Sequence, residues 1–391
     1  VEWLYPRSGA NWRDSASIRI KGEASRGDYF LKHGFRLDFG SGRGSLNRPV
    51  LGETERSRYN TLMLHGSFVD NVLTLGNKAQ YIRDLWVRDT LRRMGQPAAN
   101  GEFFHLYLNG LYWGLYHAGE RSDSHWCAQY FGGLASDWDV IDSDGLIDGT
   151  NAGWADLMER TRRSPATQED FDYVAQRFDF PAFCDYMLAN IYAANTDWPG
   201  NNIKIYRSNT SNNKWRFCLI DQELALAPNS WTDCYFDHIA YMLGQDPANP
   251  YINVWLQSLQ NERFRNYFIN RYADVMNTAY RSERILGIEN SFFNQTVIEM
   301  QNEYARWGDP NNIIGQMEAF YDNHQVFQTQ LTERTAQVRN HIEANFALPN
   351  QIDLTLDVHP AGAGKIHIST ITPTTYPWQG VYFNEIGRAH V

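Results

Sequence analysis

Hydrophobic and polar residues alternate in the first part of the chain with a period of two, which is typical of half-buried β-strands. The alternation covers residues 18–20 and 35–39, and it returns on both sides of Asn109-Gly110. An Asn-Gly pair between two such runs predicts a two-residue hairpin, because both turn positions favour positive φ. With one predicted helix over residues 79–94, these strands predict a small, sheet-rich lobe at residues 1–120.

From about residue 121 the period changes, and apolar residues recur at three- and four-residue steps, which predicts helices. These stretches favour a helical lobe at residues 121–347. After it, a segment rich in Thr, Pro, Gly and Ile predicts short strands. Because the sequence ends abruptly on a strand-like stretch, we expect residues 348–391 to be a partial accessory β-module. The predicted fold class is α+β. The predicted helices cover residues 168–178, 181–194, 254–277 and 315–345.

Two segments resemble ligand-binding loops only superficially. Residues 136–148 are rich in Asp but lack the spacing and the closing Glu of an EF-hand, so we interpret them as an acidic loop. Residues 40–44 are rich in glycine but follow a predicted strand, whereas a phosphate-binding loop leads into a helix or a Val-rich strand. We interpret them as a flexible turn.

Composition excludes several classes of protein. The chain has 391 residues, 43% of them hydrophobic, which suffices for a two-lobed globular enzyme. A net charge of -10 argues against a nucleic-acid partner and favours basic protein substrates. There is no apolar run long enough to span a membrane. The four cysteines show no zinc spacing, and we expect Cys184 and Cys218 to be small buried hydrophobic residues.

The candidate chemistry lies in three side chains. Asp197 follows a predicted apolar helix, Asn202 comes five residues later, and Asp221 ends a predicted strand paired with the strand after Asn202. Protein kinases use this order for a catalytic base and two ligands of Mg²⁺, a cation that prefers hard oxygen ligands. The alternative is a turn that merely caps a helix, since Asp, Asn, Pro and Gly are common loop residues.

Over roughly residues 15–225 the chain resembles the CotH family of spore-coat protein kinases. The blocks that carry the resemblance are Lys21-Gly22-Glu23-Ala24-Ser25, Lys32-His33-Gly34-Phe35-Arg36, residues 81–97, residues 106–116 with Glu120, and Asp197 through Tyr206 with Trp215 through Asp221.

The resemblance implies an atypical protein-kinase-like two-lobed fold that binds ATP with Mg²⁺, or Mn²⁺ in its place. It implies phosphorylation of Ser or Thr in secreted or surface proteins, including the chain itself, and an extracellular or cell-surface location. Asp197 would be the catalytic residue, Asn202 and Asp221 would hold the metal, and Lys32 would contact phosphate. Glu120 would bind near the nucleotide, either by pairing with Lys32 or beside the adenine at the lobe junction.

Departures from the family pattern keep other functions open. Lys21 through Ser25 stands where the family has Arg-Gly-Asn-Ser-Ser, so an acid is gained and a hydroxyl is lost. A different ATP-dependent transfer, protein glutamylation or AMPylation, is therefore an alternative, and so is a non-catalytic pseudokinase that binds a partner. Glu223 is a second metal ligand or, as we favour, an exposed loop acid. We interpret His65, His105 and His117 as hairpin or turn residues.

Overall fold

The structure is a computed structural model of the chain. Glu23, residues 41–43 of the predicted glycine-rich turn, and residues 385–388 and 391 lie outside the described residues. The structure describes residues 1–6, 8–22, 24–40, 44–52, 57–162, 167–210, 214–227, 232–384 and 389–390.

Short strands fill the first part of the chain and return near its end. In chain order they are β1 (Glu2–Trp3), β2 (Trp12–Arg13), β3 (Ser17–Lys21), β4 (Gly34–Asp38), β5 (Leu46–Asn47), β6 (Arg58–Tyr59), β7 (Thr61–His65), β8 (Gly101–Leu108), β9 (Leu111–Glu120), β10 (Trp138–Asp142), β11 (Gly145–Asp148), β12 (Lys204–Ser208), β13 (Arg216–Phe217), β14 (Gln351–Leu356), β15 (His367–Ile368), β16 (Trp378–Phe383) and β17 (Ala389–His390).

Helices make up most of the rest. No helix of the described residues is both long enough and apolar enough to cross a membrane. In chain order the helices are α1 (Val72–Leu75), α2 (Arg83–Arg93), α3 (Ser124–Phe131), α4 (Ala152–Thr161), α5 (Gln168–Arg177), α6 (Phe180–Ala193), α7 (His238–Leu243), α8 (Pro250–Leu259), α9 (Glu262–Met276), α10 (Ser282–Thr296), α11 (Met300–Trp307) and α12 (Ile313–Asn345).

An antiparallel five-stranded sheet, in the order β3-β4-β7-β9-β8, forms the first lobe. The predicted hairpin between β8 and β9 is confirmed, with φ of 51° at Asn109 and 81° at Gly110. The sequence analysis did not predict β7, which lies between β4 and β9. Its short apolar run has no clear alternation, and periodicity alone cannot assign such a run to a strand or a helix.

A second sheet, in the order β11-β10-β12-β13, lies at the start of the helical part. The predicted acidic loop over residues 136–148 is wrong, because strands β10 and β11 occupy most of it and pair antiparallel. Val140 and Ile141, which lie between Asp139 and Asp142, are 0% and 4% exposed, so apolar burial stabilises a hairpin there.

Two helix predictions also need correction. The predicted helix over residues 254–277 is two helices, because the Asn261 side chain accepts the backbone N–H groups of Arg263 and Phe264 and begins α9 as an N-cap. The predicted helix over residues 79–94 is shorter, since α2 begins only at Arg83.

The described residues form two large hydrophobic cores. One lies against the five-stranded sheet and includes Phe35, Leu37 and Leu62. The other lies among the helices, and it also takes in α2, whose Trp86 contacts Phe327 of α12 with ring centroids 6.1 Å apart. Helix α2 therefore packs into the helical core.

The C-terminal strands also pack on this helical core. The Tyr382 hydroxyl donates to Asp274 at 2.7 Å, and the Asn277 side chain both donates to and accepts from the backbone of Val381. Leu356 is 8% exposed and lies in the same core. Apolar burial and these hydrogen bonds therefore fix the short β segment against α9.

A buried carboxyl group between α10 and α12 makes the stability of the fold depend on pH. Burial raises the pKa of Glu289 from 4.5 to about 7. The nearby His324 ring offers little compensating charge, because burial lowers its pKa to about 4. Since the folded state holds the Glu289 proton more tightly than the unfolded chain, wild-type stability falls as the pH rises from 4.5 towards 7.

We therefore expect Glu289→Gln to be more stable than the wild type at pH 8, while the difference at pH 5 is much smaller. The glutamine keeps a hydrogen-bonding side chain next to Gln328, whose amide donates to Glu289 at 3.0 Å. The gap between the two proteins should grow by about 2 kcal/mol between pH 5 and pH 8. Urea unfolding at both pH values measures it, and a gap that does not change with pH would contradict the assignment.

Candidate active site

The loop after helix α6 holds the predicted catalytic aspartate. Helix α6 ends where Ala194 adopts a left-handed conformation with φ of 51°, and Asp197 follows on the loop. Both oxygens of the Asp197 carboxylate accept hydrogen bonds, one from the Asn201 amide at 3.0 Å and one from the Asn202 amide at 2.6 Å. The structure thus brings the predicted catalytic residue and one predicted metal ligand together.

Asn195 joins this loop to the loop that carries Asp221. Its side-chain oxygen accepts the backbone N–H of Asp197 at 3.2 Å, and its side-chain nitrogen donates to the backbone carbonyl of Asp221 at 3.2 Å. Asn195 is 0% exposed. The sequence analysis did not identify Asn195, although a buried Asn after an apolar helix has to satisfy its amide and so indicates a bridging role.

Asp221 lies four residues beyond strand β13, at a backbone φ of 47°. Its side chain reaches solvent, yet protein atoms surround it on its other sides. This partial burial raises the pKa of Asp221, and the Asp84 carboxylate raises it further, whereas the Lys21 ammonium lowers it. The carboxylate thus faces an opening while its charge is poorly compensated.

Helix α2 fixes the backbone next to Asp221. Asp84 on this helix accepts the backbone N–H of Gln222 at 2.8 Å and pairs with Arg88 at 2.9 Å. Burial opposes ionisation of Asp84, but Arg88 and His117 prevail and hold its pKa below the ordinary value. Asp84 is therefore an ionised, buried support for the Asp221 loop, and the sequence analysis did not identify it.

Glu223 is buried, so its interpretation as an exposed loop acid is wrong. It is 5% exposed, and its carboxylate accepts the backbone N–H of Val69 at 2.7 Å. Burial raises the pKa of Glu223 well above the ordinary value, and the neighbouring Asp221 carboxylate raises it further. The hydrogen bond from Val69 therefore holds the Glu223 carboxylate in the interior.

Lys32 lies in a buried ion pair. Its ammonium donates to Glu303 at 2.6 Å and to the backbone carbonyl of Leu115 at 2.8 Å, and it lies 4.9 Å from the ring centroids of Tyr81 and Tyr116. Lys32 is 3% exposed. Burial lowers the pKa of Lys32, and Glu303 opposes this. Its predicted contact with phosphate stays a prediction, but the hydrogen bonds of its ammonium go to β9 and α11.

Glu120 lies at the end of β9 and is 7% exposed. Its carboxylate accepts the backbone N–H of Asn100 at 2.8 Å, the Tyr130 hydroxyl at 2.7 Å and the Trp126 indole N–H at 3.2 Å. The sequence left two placements open for Glu120, pairing with Lys32 or a position beside the adenine. Glu120 does not pair with Lys32, because the carboxylate partner of Lys32 is Glu303. A role near the nucleotide stays a prediction.

Lys21 and two histidines lie beside the acidic groups. The Lys21 ammonium lies 2.9 Å from Nδ1 of His65, whose ring stacks on His117 with centroids 4.5 Å apart. His117 in turn lies 3.4 Å from Asp84. The two histidines pair with each other on β7 and β9, and His117 belongs to the predicted β8–β9 hairpin, so neither is a turn residue. Burial lowers the pKa of Lys21 to about 8, while Asp221 and Glu223 oppose this.

The donor set fits a divalent cation of the Mg²⁺ type. Asp221 offers a carboxylate, and Asn202 offers its amide oxygen because its nitrogen donates to Asp197. Within the described parts of the chain, no group of three or more His, Cys, Asp or Glu side chains could hold a metal by itself. Mg²⁺ commonly binds through one or two protein oxygens and completes its shell with phosphate and water.

A family model described as "CotH kinase protein" matches residues 18–345. No curated protein matches the chain. A solved structure, the crystal structure of a Helicobacter pylori proinflammatory kinase CtkA, has 10% sequence identity and a TM-score of 0.28, with 73% of this chain and 92% of that chain covered. A TM-score this low carries no argument.

The buried pair between Lys32 and Glu303 gives a stability prediction. Glu303→Ala should destabilise the protein by about 3–5 kcal/mol, because it leaves a buried ammonium without its counter-charge. The double variant Lys32→Met/Glu303→Gln should recover most of this loss. The glutamine oxygen can still accept from Leu115 N–H, and its amide nitrogen can donate to the Tyr81 hydroxyl oxygen, at the positions where Glu303 accepts at 2.7 Å and 3.0 Å. Denaturant unfolding measures both. Equal losses in the single and double variants would show that the pair is not coupled.

Proposed function

Because the chain belongs to the CotH kinase family, we propose that it is an ATP- and Mg²⁺-dependent protein kinase that phosphorylates Ser or Thr of a secreted or cell-surface protein. The observation that supports this most is the connection between the two predicted chemical loops. Asn195 bonds to the backbone of both Asp197 and Asp221, so one buried amide sets the spacing between a candidate base and a candidate metal ligand.

Asp197 would act on the acceptor. Its carboxylate is oriented by two side-chain amides, and a substrate hydroxyl beside it would lose its proton to this carboxylate as the hydroxyl oxygen forms a bond to the γ-phosphorus. The bond between that phosphorus and the β–γ bridging oxygen breaks, and ADP leaves. Orientation and proton acceptance are therefore the proposed contributions of Asp197.

Asp221 and Asn202 would hold the metal. When bound, Mg²⁺ supplies positive charge that neutralises the phosphate oxygens during transfer. The chain prepares this position by keeping the Asp221 carboxylate at an opening, with Asp84 and Glu223 nearby and Lys21 as a partial counter-charge. Adding a cation there relieves repulsion between acids, which favours binding.

The acceptor is proposed to be a basic segment of a protein. The net charge of -10 attracts such segments and repels nucleic acid, and the chain itself is also a candidate acceptor. The extracellular or surface location rests on the family resemblance.

Intact mass spectrometry tests the reaction. We expect the purified protein, incubated with ATP, Mg²⁺, a basic acceptor protein and a pool of amino acids, to add the mass of phosphate. A gain of AMP or glutamate mass would replace the kinase reaction with another ATP-dependent transfer. No gain at all would favour a non-catalytic pseudokinase that binds a partner.

Two substitutions assign this activity to the site. Asp197→Asn and Asp221→Ala should each abolish the mass gain, and Asp144→Ala, in the exposed turn between β10 and β11, should leave it unchanged. Asp221→Ala should also keep or raise the thermal unfolding midpoint without metal, because the folded state raises the pKa of this carboxyl group. A fully active Asp221→Ala protein would contradict the proposal.

A further inference from the structure

We propose that Lys21, positioned by His65, is the lysine that contacts the phosphate groups of the nucleotide, and that Lys32 serves to join the two lobes. This inference rests on the proposed function, because it assigns the phosphate-binding cation of the same site. It departs from the assignment that the family resemblance gives to Lys32.

Strand geometry directs the Lys21 side chain. Lys21 is the last residue of β3 and lies opposite Gly34 of β4. A Cβ atom at Gly34 would lie 3.1 Å from Cγ and 3.2 Å from Cε of Lys21, so the absence of a side chain there makes room for the lysine stem. The stem therefore crosses β4, and the ammonium reaches His65 on β7 at 2.9 Å.

His65 orients the ammonium without neutralising it. Burial lowers the pKa of His65 well below its ordinary value, and the nearby Lys21 and His117 lower it further, so the ring is neutral and can accept a hydrogen bond from Lys21. The opposite charges that act on Lys21 are the carboxylates of Asp221, Glu223 and Asp84. The ammonium thus lies on the Asp221 side of the sheet, where a metal-bound phosphate would arrive.

Lys21 and Lys32 differ in the existing interactions that each ammonium would give up to bind a phosphate. Lys21 is half-buried, and its hydrogen-bond partner is a neutral ring, so two of its three N–H groups can turn to a ligand. Lys32 is 3% exposed, and its displacement would leave the Glu303 carboxylate buried without its counter-charge. The energetic cost of recruiting a phosphate-binding lysine is therefore far lower at Lys21.

A chain of contacts couples Lys21 to the metal-binding loop. It runs from Lys21 to His65, then through the stacked ring of His117 to Asp84, which accepts the backbone N–H of Gln222. The cation on the sheet and the carboxylate on the loop are thus held by one set of side chains. Such a set fixes the distance between a phosphate-binding lysine and a metal ligand.

Binding of Mg²⁺-ATP and of adenosine, measured by calorimetry, tests the assignment. Lys21→Met keeps the stem over Gly34 and should weaken ATP binding about tenfold or more, because a charge-assisted hydrogen bond to phosphate is lost. Adenosine binding should not change, whereas damage to the fold would weaken both ligands. Lys21→Gln is a second variant that can keep the contact with His65, and it should show the same selective loss.

The matched control is Lys32→Met/Glu303→Gln, which removes the other lysine with its partner and should bind ATP like the wild type. Selective loss of ATP binding in this double variant, with wild-type affinity in Lys21→Met, would overturn the assignment while leaving the proposed function in place. A wild-type protein that binds no nucleotide would overturn the proposed function and the assignment together. His65→Phe, which removes the acceptor, should weaken ATP binding in the same direction as Lys21→Met.

Discussion

The buried ion pair between Lys32 and Glu303 is the contact on which the arrangement of the two lobes depends. It joins the residues before β4 to helix α11, across 271 positions of sequence, and the same carboxylate also binds the backbone of β9 and the Tyr81 hydroxyl. Gly114 makes this approach feasible, because a Cβ atom there would lie 2.7 Å from Glu303 and 2.8 Å from Trp307. Charge, hydrogen bonds and a missing side chain together set how closely the sheet lies to the helices.

The second constraint is electrostatic and lies at the candidate site. Asp84 raises the pKa of Asp221, and both raise the pKa of Glu223, while Arg88 and Lys21 compensate only part of the negative charge. A fold selected for stability alone would avoid such a cluster, because buried like charges cost free energy. Functional sites commonly carry this cost, since the missing positive charge comes with the ligand.

The sequence predicted the local parts of this structure well. The β8–β9 hairpin follows from Asn109-Gly110, and the helix before Asp197 follows from its apolar run, because both signals lie within a few residues. The order of Asp197, Asn202 and Asp221 likewise placed these residues near each other. The limits of the lobes stay predictions.

What the sequence could not supply are contacts between distant residues. Nothing near Lys32 indicates Glu303, and nothing near Lys21 indicates His65, 44 residues away, because each pairing arises only when strands and helices pack. The burial of Glu223 was missed for the same reason, since its partner Val69 lies 154 residues away in the sequence. Local pattern fixes which elements form, whereas packing decides which polar groups meet.

Helix α2 and strand β3 hold the two sides of the candidate site by different numbers of neighbouring elements. Trp86 of helix α2 packs in the helical core while Asp84 holds the Asp221 loop, so the acidic side of the site is anchored to that core. Strand β3, by contrast, is an edge strand that pairs with β4 on one side. Displacement of β3 would therefore separate it from β4 and carry Lys21 away from the Asp221 loop, which stays anchored through Asp84.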